Sequence, residues 1–96
     1  MREHLRGRFI RAIQSIGDAL EKSGRYCEGL EYYTRGIEAD DLVEPFYQGA
    51  IRGLFQLDRA AEAASMFRRL RQTLSLTLGV PPSAESQKLF ETVRTK

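Results

Sequence analysis

Along most of this chain the apolar residues return every three or four positions. Leu5, Phe9, Ala12, Ile13, Ile16, Ala19 and Leu20 keep that spacing through a proline-free stretch from Arg2 to Ser23, the period of one face of an α-helix. Lys22 falls in its last turn and Gly24 just beyond, where glycine takes the left-handed C-cap conformation without a Cβ clash. A second helix is predicted over Tyr26–Ala39, with Tyr26, Leu30, Tyr33 and Ile37 on its apolar face and Asp40 and Asp41 at its exit. Pro45, behind Glu44, suits the first position of a third helix, because the N–H it lacks would be unpaired there. That helix carries Phe46, Tyr47, Ala50, Ile51, Leu54 and Phe55 before Asp58 and Arg59 break the pattern. From Ala60 to Leu76 the chain is rich in alanine, arginine and leucine, all strong helix formers, so a fourth helix follows. Gly79, Val80, Pro81 and Pro82 interrupt it. Ser83 can cap a fifth helix, with Glu85 at the positive end of its dipole and Leu89, Phe90 and Val93 as its apolar face. No segment sustains a period of two, so the chain reads as all-α with five helices.

Helices 1 and 2 map onto helices 3 and 4 at a constant shift of 34 residues. Ile13 parallels Tyr47, Ile16 Ala50, Leu20 Leu54, Arg25 Arg59, Glu28 Glu62, Gly29 Ala63 and Tyr33 Phe67. A helix-turn-helix period of this length, with Gly17, Gly24, Tyr26, Gly29, Tyr33 and Gly36 in place, resembles the tetratricopeptide repeat. The resemblance implies two helical hairpins forming an α-α superhelix. Core packing is the expected role of Ile13, Ile16, Leu20, Leu30, Tyr33, Leu54, Phe67 and Leu70. Ile51, Asp58 and Leu70 stand where the first unit has Gly17, Gly24 and Gly36, which predicts looser or differently angled packing in the second hairpin. Two repeats are fewer than the three usually needed to close a repeat core. The helix after Pro82 is therefore expected to cap the open face of helices 3 and 4.

A more particular resemblance covers about Leu5 to Val93. Glu44 and Pro45 open helix 3; Arg59, Glu62 and Ala63 start helix 4; Phe67, Leu70, Arg71 and Leu74 follow; LGVPPSAES and Leu89 close the set. This is similar to the bacterial transcriptional activator domain, the helical module beside a winged-helix DNA reader in activators of the antibiotic regulatory protein type. Leu78, Gly79, Val80, Pro81, Pro82, Ser83, Ala84 and Glu85 fit the family's tail throughout. Asp41 stands where the family often has proline, Asp58 where glycine is usual, and Ser86 where threonine or leucine is common. The resemblance implies a single domain over residues 1–96, cut from a longer regulator with an N-terminal winged-helix domain. The start of helix 1, almost at Met1 and without a cap or linker before it, fits that expectation.

Charge and composition narrow the chemistry. Fifteen Lys+Arg against 13 Asp+Glu leave +2, too little to mark the whole domain as a nucleic-acid binder. One cysteine, Cys27, cannot form an internal disulfide, and the N-terminus MREHLRGRF has no apolar signal segment, so the cytoplasm is the expected compartment. Catalysis needs a base within reach of a nucleophile, a metal cluster or a cofactor loop. His4 is the only histidine and is expected in solvent, and Gly7, Gly17, Gly24, Gly29 and Gly36 fit no phosphate-binding spacing. No enzyme, cofactor or metal is expected. Glu28, Glu31 and Glu38, with Asp40 and Asp41, lack the alternate-position oxygens of a calcium loop and read as a solvated face.

Two basic groups, Arg2, Arg6, Arg8 and Arg11 on helix 1 and Arg68, Arg69 and Arg71 on helix 4, offer short stripes for phosphate: Arg8 with Arg11, and Arg68 with Arg71. Without interleaved aromatics or a base-reading helix, they predict weak backbone contact at most. In tetratricopeptide proteins the first helix of each pair lines the concave, partner-holding side. Carried onto this chain, that picks out Arg11, Gln14, Asp18, Gln48, Arg52 and Phe55 as solvent-facing candidates. Phe55 either points to the open face, where an aromatic can anchor a partner, or packs beneath the fifth helix. The reading is a noncatalytic protein-interaction module of a bacterial transcription regulator. Its expected partners are its own DNA-binding domain, another copy in a homodimer, or the transcription machinery, with DNA touched only weakly and no membrane. The alternative is a free-standing tetratricopeptide adaptor binding a peptide, told apart by whether a winged-helix domain is encoded before Arg2.

Overall fold

The computed structural model describes residues 3–94, with side chains from Leu5 onward. The expectations for Arg2 and for the side chain of His4 lie outside the described residues. Among the described residues five helices follow in order: α1 (Glu3–Lys22), α2 (Tyr26–Ala39), α3 (Glu44–Gln56), α4 (Ala60–Leu78) and α5 (Ala84–Arg94). Each packs against the next, and α3 also touches α1 and α5. That zigzag puts α1, α3 and α5 in one layer and α2 and α4 in the other. The molecule measures 40 × 34 × 19 Å, and the short dimension is two helix diameters. Among the described residues no helix is long and apolar enough to cross a membrane.

The repeat extends into the turns. After α1, Arg25 N–H donates to Leu20 C=O at 2.8 Å; after α3, Arg59 N–H donates to Leu54 C=O at 2.8 Å. These are the six-to-one bonds of a helix-ending motif that needs a left-handed residue between them. Gly24 supplies it with φ 78°, and Asp58 supplies it with φ 62°, a conformation that aspartate reaches more readily than most side chains. The second turn therefore closes as the first does, without glycine. Past each turn an arginine pairs with a glutamate three residues on, Arg25 with Glu28 and Arg59 with Glu62.

Two adjoining clusters form the core. The first gathers Ile13, Tyr33, Ile37, Val43, Phe46, Tyr47, Ala50, Leu70 and Leu74. The second gathers Ile51, Leu54, Ala63, Phe67 and Val93, with Phe55, Leu89 and Phe90 against them. Tyr33 and Phe67, parallel in the repeat, are buried alike at 4% and 5% exposure. Phe67 stacks on Phe90 with ring centroids 4.2 Å apart, so α5 caps α3 and α4 through the residues its periodicity marked.

Three expectations need correction. Ile16 is 40% exposed rather than core. Its parallel, Ala50, is covered because α1 packs on α3, whereas among the described residues no helix plays that part for α1. Leu20 and Leu30 are half-buried. Helix α4 runs two residues further than expected, to Leu78, and leaves Leu76 and Leu78 in solvent.

Candidate functional site

Tyr33 reaches from α2 through the first layer because α1 and α3 each lack a side chain where its ring passes. A Cβ on Gly17 would stand 2.8 Å from ring carbon Cε1, and one on Gly49 would stand 2.6 Å from the same atom. The ring is clamped between two glycines, and its hydroxyl end meets Arg52. Burial, aided by nearby Glu21, raises the Tyr33 pKa, so the hydroxyl keeps its proton.

Above that ring lies a groove of about 570 Å³ lined by Gln14, Ser15 and Asp18 from α1, Pro45, Gln48 and Arg52 from α3, Glu85 from α5, and Tyr33 as floor. A second hollow of about 440 Å³ continues past Asp18 and Arg52, lined by Glu21, Lys22, Tyr26, Phe55, Gln56, Leu89 and Thr92. One trough thus runs along the α1, α3 and α5 layer.

Two polar ties hold its walls. Arg52 donates from Nε to Glu21 Oε2 at 2.7 Å and from Nη2 to Oε1 at 3.2 Å, binding α3 to α1 in a bidentate pair. Burial works against the Arg52 charge, but Glu21 more than offsets it and the pKa rises. The other tie fixes α5. Ser83 Oγ accepts the Ser86 N–H at 3.2 Å as an N-cap. Glu44 on α3 accepts the Ser83 N–H at 2.8 Å and the Ser86 hydroxyl. In the usual capping box that carboxylate comes from the third residue of the capped helix; here a neighbouring helix supplies it. Gln48 Nε2 donates to the fully buried Ser86 Oγ at 2.9 Å and completes the network.

Burial would raise the Glu44 carboxyl, yet the hydrogen bonds from Ser86 and Ser83 outweigh it and hold the group below its ordinary 4.5. A carboxyl depressed on folding stabilises the fold above its unfolded pKa and stops doing so as pH falls through the folded one. Thermal melts should therefore show a loss of midpoint below about pH 4.5 that Glu44→Gln reduces. An identical acid dependence in both proteins would refute the role given to Glu44.

Of the sequence candidates, Gln14, Asp18, Gln48 and Arg52 meet in the first groove, and Phe55 borders the second. Gln48 is corrected in one respect: it is only 8% exposed, because α5 folds over that part of α3. Phe55 combines both of its alternatives, packing half-buried against the second core with one side toward the hollow. Asp18 pairs with Lys22 at 3.0 Å. Arg11 is exposed and does not line the trough. Arg8 is exposed on α1, and Arg68 and Arg71 on α4, two helices that do not touch, so the arginine stripes stay separate.

Sequence reasoning missed Tyr33 as the floor and Glu21 and Glu44 as ties. The signal for the first was present: glycines inside two helices, each costly there unless something approaches closely. Among the described residues no group of three or more His, Cys, Asp or Glu could hold a metal ion. No curated protein and no solved structure matches the chain. The family model for the bacterial transcriptional activator domain matches residues 1–94. With that match over nearly its full length, the chain belongs to the bacterial transcriptional activator domain family, a family of transcription-regulator domains.

Proposed function

We propose that the domain is a noncatalytic protein-interaction module of a bacterial transcription regulator, working beside a winged-helix DNA reader in the cytoplasm. Its trough takes an extended segment from the rest of the regulator, another copy or the transcription machinery. The observation that carries this reading is a groove whose walls are tied before any partner arrives, by Glu21 to Arg52 and by Glu44 to Ser83 and Ser86. A preformed site spares the cost of ordering on binding. Gln14 and Ser15 give its α1 wall accessible hydrogen-bonding groups suited to a peptide backbone.

The test must leave the ties alone, so Arg52 is a poor probe and Gln14 and Asp18 are good ones. Within the intact regulator, Gln14→Arg with Asp18→Arg should lower activation by about tenfold or more, with the melt and the DNA footprint unchanged. Full activation by that variant would sink the reading. Alone, the chain should bind DNA weakly and without sequence preference, losing ~10³ or less in affinity between about 50 and 200 mM salt.

A further inference from the structure

The charges that line the trough run against those of the chain. The whole sequence carries +2, yet among the described residues the two hollows are lined by three carboxylates, Asp18, Glu21 and Glu85, against two bases, Lys22 and Arg52. Arg52 spends its charge inside the wall, on the bidentate pair with Glu21. Lys22, in the second hollow, pairs with Asp18 at 3.0 Å, but both side chains are more than half exposed. A pair so exposed is weak, and an incoming cation can join or replace it. Glu85, exposed in the first turn of α5, forms no ion pair among the described residues. The first groove thus has an acid on each outer wall, Asp18 on α1 and Glu85 on α5, and the base on α3 between them is already neutralised. The second hollow differs in character, because half-buried Tyr26, Phe55 and Leu89 give it apolar surface.

Resting on the trough as the partner site, we infer that its occupant is a basic extended segment. A lysine or arginine of that segment lies between Asp18 and Glu85, and an apolar side chain further along enters the hollow of Tyr26, Phe55 and Leu89. An acidic or phosphorylated segment would meet two carboxylates in the first groove and no base to pair with, so it is rejected. Gln14 and Ser15 lie along the backbone of the segment. Alternate side chains of an extended chain point the same way, so its basic and apolar residues stand an even number of positions apart. Opposite charge at an interface selects the partner and speeds encounter more than it adds affinity. Discrimination by sign of charge, weakening as salt is raised, is therefore the signature of this site.

Random peptides of about ten residues, long enough to span both hollows when extended, test this when displayed on phage and selected against the chain. The selected peptides should share a lysine or arginine and an apolar residue at even spacing. Made as synthetic peptides and followed by fluorescence anisotropy, they should bind less well as salt is raised. Exchanging their basic residue for glutamate should abolish binding, and Asp18→Asn with Glu85→Gln in the chain should weaken it by about three- to tenfold. Ser15→Trp, a neutral block on the α1 wall, should abolish it too. Circular dichroism melts establish that the variants fold; if one does not, the salt dependence and the exchange in the peptide carry the test on the unaltered chain. Selected peptides that are acidic or show no charge preference, yet are lost on Ser15→Trp, would overturn the basic segment and leave the trough as the partner site. Peptides indifferent to Ser15→Trp, or no selected peptide at all, would overturn both.

Discussion

Phe67→Ala is expected to remove about 3 to 5 kcal/mol of stability and to lower the melting midpoint by more than ~10 °C in a domain of this length. Phe67 is 5% exposed, sits among Ile51, Leu54, Ala63 and Val93, and stacks face to face on Phe90 of α5. Its removal opens a cavity and also strips α5 of its main apolar partner. Net stabilities of small domains are of the order of 5 to 15 kcal/mol, so the loss is a large fraction of the whole. Leu76→Ala, at a residue 78% exposed on α4, is the matched control and should change stability by about 0.5 kcal/mol or less. Thermal and urea melts of both read the difference. An unchanged melt for Phe67→Ala would mean that the second hairpin and its cap do not meet as described.

Glycine-to-alanine changes at Gly17 and Gly49 are expected to act against the ordinary trend. In an open helix interior such a change gains up to about 1 kcal/mol, because alanine has the better helix propensity. Here a methyl group at either position runs into the Tyr33 ring, which is hemmed in from both sides and cannot step away. Overpacking of this kind costs about 1 to 3 kcal/mol. Removing the ring should remove the conflict. In a Tyr33→Ala background, Gly17→Ala should be neutral or stabilising, and the size of that coupling is the strength of the clamp. A Gly17→Ala protein more stable than its parent in the presence of Tyr33 would contradict the packing.

Periodicity carried a reader far into this fold, because it reports which face of each helix is apolar. It identified all five helices, the pairing of Tyr33 with Phe67, and the capping face Leu89, Phe90 and Val93. It failed at Ile16, since an apolar stripe does not say whether a neighbour arrives to cover it. It erred on the solvent exposure of Gln48 for the converse reason: a polar residue on α3 became buried once α5 crossed it. The ties were not legible at all. Glu21 and Arg52 lie 31 residues apart, Glu44 and Ser83 39 apart, and only the superhelix brings them together. The trough candidates came from analogy with stacked hairpins, which locates a concave side but not its floor.

The capping of α5 by Glu44 has a consequence for the order in which the molecule assembles. A helix of 11 residues is too short to persist alone in water, and half of the polar network that starts this one is held on α3. Its capping partner is in place only once α3 is, and it packs on the rest of the molecule less extensively than α1 does. Amide protons of α5 should then exchange through a partial opening that leaves α1 to α4 protected. That opening would free one wall of the trough while the other two stay bound together through Glu21 and Arg52, giving an incoming segment a way in from the side.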